Sequence, residues 1–138
     1  MFVSRGQFGA GQFGAARARY QRVDVTSRVE GADPHQLVSI LYDELIKSLD
    51  AMAAAVAKND YMQRGERQAR ALRLISGLET SLDFEQGGEI AIGLAKIYRE
   101  ARRLVIAAGR ENDVAKIDQA REMLSGVADA WAQIRTRG

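Results

Sequence analysis

The chain has 138 residues, of which 46% are hydrophobic and 28% are charged, the size and composition of one globular domain. It contains no cysteine, which excludes a disulfide framework and a thiolate metal site. No apolar run approaches the ~20 residues that would cross a bilayer, and residues 1–16 lack the apolar stretch of a secretory signal. We therefore expect a cytoplasmic protein without membrane insertion.

Charge is unevenly distributed along the chain. Residues 1–30 carry five arginines and two carboxylates, a net charge of +3, whereas the remaining residues carry 15 basic and 16 acidic side chains. Proteins that bind nucleic acid more often present a basic face on the folded body. Three arginines near Tyr20 suit phosphate contacts with its ring stacked on a base, but a solvated basic arm is the commoner meaning of such a cluster. We expect no nucleic-acid partner.

The first 32 residues divide into a leader and an arm. Residues 1–16 contain a tandem repeat of Gly-Gln-Phe-Gly-Ala. Because two units cannot build a solenoid and glycine is costly to order, we predict a flexible leader. Residues 17–32 form an N-terminal arm in which Val23 and Val25 lie beside polar neighbours. A short strand, an extended arm and the start of a helix all fit this arm, which is too short for periodicity to decide.

A first helix is predicted to begin after Asp33. This carboxylate can cap the free backbone N–H groups, Pro34 suits the first helical position, and Gln36 completes a variant of the capping box. Apolar residues then recur at spacings of three and four up to a stop near residues 58–60. They are Leu37, Leu41, Leu45, Leu49, Met52 and Val56.

A second helix is predicted over about residues 61–82. Its expected inner face consists of Ala69, Leu72, Ile75 and Leu82. A break at Gly87-Gly88 precedes a third helix, which we expect to begin near Glu89 because a carboxylate suits the positive end of a helix.

The third helix is predicted to stop at Gly109, and Asn112 or Asp113 is expected to cap a fourth. The apolar stripes of these two helices are Ile90, Leu94, Ile97, Tyr98, Ala101, Leu104 and Ala108, then Ile117, Leu124, Val127, Trp131 and Ile134. Four amphipathic helices joined by short turns predict an all-α fold over residues 33–135. Its architecture is an antiparallel up-down four-helix bundle, preceded by a short N-terminal arm or helix.

Candidate catalytic and metal-ligating residues are few. Di-metal sites in helical bundles use Glu-x-x-His pairs, but His35 is the sole histidine and no glutamate lies three residues before it. Asp83, Glu85 and Glu89 cluster around the glycine turn, where carboxylates usually act as caps and helix-dipole partners. We expect neither an enzyme nor a bound cofactor or metal.

Protein binding is the function left by these exclusions. Val38, Tyr42, Ile46 and Ala53 lie beside the main stripe of the first helix and widen its apolar face. A second apolar stripe can serve as a groove for a partner helix. Periodicity alone does not separate a groove residue from a core residue, so both interpretations stay open.

Several blocks of the sequence carry a family resemblance. They are Tyr20, Val23 and Val25; residues 34–37 with 41–43; residues 82–91; Leu94 and Tyr98; residues 112–113; and residues 130–131. In these blocks the chain resembles the flagellar secretion chaperone FliS family, the export chaperones of bacterial flagellin. Gly93 and Gly109 stand where the family commonly has asparagine, and Arg17 stands where some relatives carry an apolar residue.

The resemblance implies a cytoplasmic helical chaperone that is not an enzyme. Its partner would be the C-terminal region of flagellin, which is disordered in the free monomer. Binding would prevent premature polymerisation until the client reaches the flagellar type III export apparatus. An anti-sigma factor or another regulator of flagellar assembly is a further candidate partner. The expected partner-binding residues are Tyr20, Val23, Val25, Tyr42, Ile46 and Tyr98.

Two alternatives stay open. In some relatives the segment around the N-terminal tyrosine covers part of the groove when the client is absent. Tyr20 therefore belongs either to a movable lid or wall of the client site, or to the core as a fixed anchor. The rival function is a helical module that assembles only with itself, its apolar groove filled by a second copy.

Overall fold

The computed structural model describes the backbone of residues 29–137 and the side chains of residues 29–134. The chain divides into two units, Met1–Leu37 and Val38–Gly138. The four long helices are α1 (Pro34–Ala57), α2 (Tyr61–Thr80), α3 (Phe84–Glu111) and α4 (Val114–Arg137). The predicted all-α four-helix bundle is confirmed. Predictions for the leader and for Tyr20, Val23 and Val25 concern residues outside the described part.

The start of α1 has the predicted capping box. The backbone N–H of Gln36 donates to the Asp33 carboxylate at 2.7 Å, and the backbone N–H of Asp33 donates to the side-chain oxygen of Gln36 at 3.0 Å. Each residue thus satisfies a backbone donor of the other, which stabilises the first turn of the helix.

Two Asn-Asp turns close one end of the bundle. Asn59 and Asn112 each take the left-handed conformation with φ of 58°. The backbone N–H of the following aspartate, Asp60 or Asp113, donates to a carbonyl five residues earlier at 2.9 or 3.0 Å. Each aspartate then accepts a backbone hydrogen bond from the helix that follows. One dipeptide therefore ends a helix and caps the next, which keeps both connections short.

The prediction that α3 ends at Gly109 is wrong. The helix continues to Glu111, and Asn112 supplies the left-handed residue that terminates it. Gly109 is buried, and a Cβ there would clash with the side-chain amide of Gln68, which donates to the carbonyl of Val105 at 3.1 Å. The glycine therefore serves the close packing of α2 against α3.

The predicted break at Gly87-Gly88 is confirmed, with regular helix resuming after Gly88, but α3 as a whole begins earlier than the expected Glu89. The helix begins at Phe84, because the Asp83 carboxylate caps it by accepting two backbone hydrogen bonds at 3.1 Å. Gly88 has φ of 49° and ψ of −123°, a combination open to glycine alone, and breaks the helix internally. The glycine pair marks a kink one turn inside α3.

The core contains residues from all four helices. In α1 the predicted stripe is buried from Leu45 to Val56, whereas Leu41 is half-buried. The predicted inner face of α2 is confirmed at Ile75, and Leu72 and Leu82 are half-buried and pack against the core. The prediction is wrong at Ala69, which is exposed. The buried residues of α2 are Ala71, Leu74, Ile75 and Leu78. They form an alternative set at spacings of three and four that overlaps the predicted one. Within residues 29–137, no helix combines the length and the apolarity needed to cross a membrane.

Candidate partner-binding site

The apolar stripe of α3 runs past the core at one end. Ala101 and Leu104 are buried, Leu94 and Ile97 are half-buried, and Ile90 at the start of the stripe is 74% exposed. The part of the bundle that contains Ile90 is opposite the Asn-Asp turns. An apolar stripe that no element of the described residues covers is the surface property expected at a protein-binding site.

The apolar stripe of α4 also becomes more exposed toward one end of the helix. Leu124 is buried, Val127 and Trp131 are half-buried, and Ile134 is exposed. Because α3 and α4 are antiparallel neighbours joined by a short turn, the last turns of α4 lie toward the first turns of α3. Incompletely buried apolar residues from both helices therefore occupy one end of the bundle.

Further apolar residues belong to the same end. Leu41 near the start of α1 is half-buried, and Phe84 at the start of α3 is exposed. The "apolar end" denotes Leu41, Phe84, Ile90, Leu94, Trp131 and Ile134. Sequence reasoning assigned Ile90 and Ile134 to core stripes and gave Phe84 no role. Its position directly after the capping Asp83 could have indicated exposure, because the first residue of a helix lies at the end of the bundle.

Tyr42 and Tyr98, two of the predicted partner-binding residues, lie in the core. They are 2% and 1% exposed, and their hydroxyls form a hydrogen bond that joins α1 to α3. Burial raises the pKa of both phenols, and the hydrogen bond with Tyr98 raises that of Tyr42 further. Both side chains are therefore neutral, and each satisfies the other's polar atom. At this depth they can serve a partner surface only by positioning the helices that carry it.

Ile46, the third of the predicted residues that the structure describes, is half-buried on α1 and packs against the core. Tyr98 lies one helical turn from Leu94, and Tyr42 lies next to Leu41 in the sequence. The tyrosine pair is thus adjacent to the apolar end. The partner-binding role of these three residues stays a prediction.

Ion pairs hold the helices around the core. Arg102 of α3 pairs with Glu79 of α2 and lowers the pKa of that carboxyl through a hydrogen bond. Arg70 of α2 lies 3.1 Å from Glu44 of α1. Arg121 of α4 joins Asp50 of α1 at 2.5 Å. Each pair links two helices, so ion pairs connect the helices at several positions along the bundle.

No group of three or more histidine or acidic side chains is placed to hold a metal ion within the residues that the structure describes. A shallow cleft between α3 and α4 is lined by Glu100, Arg103, Leu104, Gln119, Glu122 and Met123. Glu100 and Arg103 pair with each other there, which gives the cleft the character of a salt-bridged surface.

Comparison with known proteins agrees with the resemblance. The family model described as flagellar protein FliS matches residues 16–138. The flagellar secretion chaperone FliS of Salmonella typhimurium is 36% identical over 116 residues, 83% of this chain and 86% of the relative. The chaperone of the same name from Vibrio cholerae is 32% identical over 115 residues, 83% and 85% of the two chains. The one from Bacillus subtilis is 24% identical over 105 residues, 76% and 77%. The chain therefore belongs to the FliS family of flagellar proteins.

Proposed function

We propose that this protein is a cytoplasmic, non-enzymatic export chaperone for flagellin. It binds the disordered C-terminal region of flagellin, prevents premature polymerisation and passes the client to the flagellar type III export apparatus. Family membership supports the chaperone role. The observation that carries the binding proposal is the apolar end, where Ile90 and Ile134 are exposed at the end of stripes whose other members are buried or half-buried.

Coupled folding and binding explains how such a surface would work. A disordered client segment gains free energy by burying its apolar side chains against the apolar end. Ordering that segment costs on the order of 2 to 5 kcal/mol, which offsets part of the gain. The balance suits a complex that must hold the client and later release it.

The N-terminal arm and the α1 face belong to the same proposal. In this proposal Tyr20, Val23 and Val25 contribute to the client site as a lid or as one wall, and Ile46 with the tyrosine pair of α1 and α3 supports the rest of the site. A Tyr20→Ala variant tests the arm. Unchanged thermal unfolding with loss of flagellin binding supports the proposal, whereas a large fall in melting temperature assigns Tyr20 to the core.

The central experiment is a titration of the full chain with flagellin from the same cell. We expect a complex with one copy of each protein by light scattering, and no complex with flagellin that lacks its C-terminal region. A stable homo-oligomer that does not bind flagellin would support the self-assembling module instead. An anti-sigma factor or another assembly regulator can be tested as a competitor in the same assay.

A matched pair of variants locates the client site. Ile90→Asp places a charge in the apolar end and should weaken flagellin binding by about tenfold or more, because a charged group would have to be desolvated. Met62→Asp is the control, since Met62 is 76% exposed, close to the 74% of Ile90, but lies near the opposite end. Equal losses in the two variants would contradict this placement.

A further inference from the structure

The solvent-facing side of α3 carries a second regular stripe that the bundle does not use. Its members follow at spacings of four, three, four, three and four residues and are all exposed. The "outer stripe" denotes Ile92, Lys96, Arg99, Arg103, Ile106 and Arg110. Its two isoleucines are 49% and 42% exposed and lie 14 residues apart, about 21 Å along the helix.

The charges of the outer stripe are only partly compensated. Arg103 pairs with Glu100, and Arg110 lies 3.6 Å from Glu111. Lys96 and Arg99 form no ion pair within the part of the chain that the structure describes. Ion pairs between exposed side chains on one helix contribute little to stability, so the two paired arginines can exchange partners readily.

Alternating spacings of three and four are the pattern by which two helices pack side by side. In the outer stripe, the positions repeating every seven residues hold Ile92, Arg99 and Ile106, while Lys96 begins a second set that is entirely basic. A facing helix with apolar residues two heptads apart could pack on both isoleucines. Carboxylates between them would lie opposite Lys96 and Arg99.

We propose that the outer stripe of α3 is a docking surface for an acidic amphipathic helix of another protein. The partner helix has at least 15 residues, because its two apolar residues lie 14 positions apart, about 21 Å at 1.5 Å per residue. The outer stripe is on the opposite side of α3 from the core and does not include the apolar end. The proposal therefore does not depend on flagellin binding.

The pattern favours a protein partner over nucleic acid or a membrane. Nucleic-acid phosphates bind most strongly to clusters of unpaired basic side chains, whereas two of the four basic residues here already have acidic neighbours. The two isoleucines would make no favourable apolar contact with phosphates. A helix that lies in a membrane interface presents a broad continuous apolar face. Here Arg99 lies midway between the two isoleucines.

The probe is a synthetic 21-residue helical peptide with leucines two heptads apart and glutamates at the intervening facing positions. Fluorescence anisotropy of the labelled peptide against the full chain should show saturable binding. Lys96→Glu/Arg99→Glu should weaken it by about tenfold or more, and a peptide with lysines in place of the glutamates should bind this variant better than the parent protein. Ile92→Ser should also weaken binding of the original peptide.

Arg67→Glu/Arg73→Glu is the matched control, because both arginines are exposed on α2 and the charge change is identical. It should leave peptide binding intact. The proposal is overturned if this control loses as much affinity, or if a peptide of the same composition with scrambled spacing binds equally well. Tighter binding of duplex DNA or of phosphatidylglycerol vesicles through Lys96 and Arg99 would also overturn it. Flagellin binding should be unchanged in the Lys96→Glu/Arg99→Glu variant, so failure at one surface is distinguishable from failure at the other.

Discussion

Two phenol hydroxyls meet inside the core. Tyr42 and Tyr98 are each other's hydrogen-bond partner, and burial raises the pKa of both. A buried polar atom costs free energy unless it is paired, so the two rings can be accommodated only in an arrangement that brings the hydroxyls together. The pair therefore defines how α1 faces α3, beside the apolar end.

Removing one hydroxyl should cost more than removing both. Tyr98→Phe leaves the Tyr42 hydroxyl buried without its partner and should lower the free energy of unfolding by about 1 to 3 kcal/mol. The Tyr42→Phe/Tyr98→Phe double variant should recover most of that loss. Urea denaturation measures both, with Tyr61→Phe as the control because Tyr61 is exposed. Additive losses in the double variant would argue against a coupled pair.

Residue placement was the part of the site that sequence patterns could not decide. Tyr42 and Ile46 lie four positions apart on the same face of α1, so periodicity assigns them alike. The structure buries Tyr42 fully and Ile46 by half, because burial depends on which side chains face them from other helices. Phe84 and Ile90 were missed as surface residues for the same reason.

At the scale of the elements, helix ends decide the connections. Asn59 and Asn112 end their helices in the left-handed conformation, which glycine and asparagine both reach. Sequence reasoning placed the end of α3 at Gly109, and the competing signal at Asn112 was used only as a helix start. The starts predicted from Asp33 and Asp113 hold because a cap is a local hydrogen bond within a few residues.

The requirement for glycine at the kink in α3 can be tested with alanine substitutions at two glycines, one with positive φ and one in regular helix. Gly88→Ala forces a Cβ into a backbone conformation that only glycine adopts and should destabilise the protein by about 1 to 3 kcal/mol. Gly93→Ala is the control, since a Cβ there meets no atom within 4 Å and should add up to about 1 kcal/mol of helix propensity. Thermal unfolding should therefore shift in opposite directions. A stabilised Gly88→Ala protein would mean that the kink relaxes to a straight helix.

The contact between α2 and α3 should make stability depend on pH. The hydrogen bond from Arg102 lowers the pKa of Glu79 from its ordinary value of 4.5. A carboxyl with a lowered folded pKa stabilises the protein fully above its unfolded pKa, and the contribution disappears as pH falls through the folded value. Glu79→Gln should therefore lose less stability than the parent protein on acidification. Glu66→Gln is the matched control, because it removes an exposed carboxylate that forms no ion pair among the described residues.

At the scale of the whole molecule, the two ends of the bundle differ. One end has short Asn-Asp turns, and the side chain of Asn112 is linked to that of Arg64 at 3.1 Å. The other end leaves the apolar stripes of α3 and α4 partly uncovered. Four helices and their order followed from the spacing of apolar residues and the positions of turn residues. The uncovered end did not, because a stripe continues in sequence whether or not another helix covers it.

The last prediction concerns residues 1–16 and whether they contribute to flagellin binding. The family match begins at residue 16, so the tandem Gly-Gln-Phe-Gly-Ala repeat precedes it, and no block of the resemblance includes it. A chain that lacks residues 1–16 should therefore bind flagellin with nearly unchanged affinity in a calorimetric titration. The control is a chain that lacks residues 1–28, which also removes Tyr20, Val23 and Val25 and should bind differently if the arm forms part of the client site. A tenfold loss on removing the first sixteen residues alone would place part of the client site in the repeat.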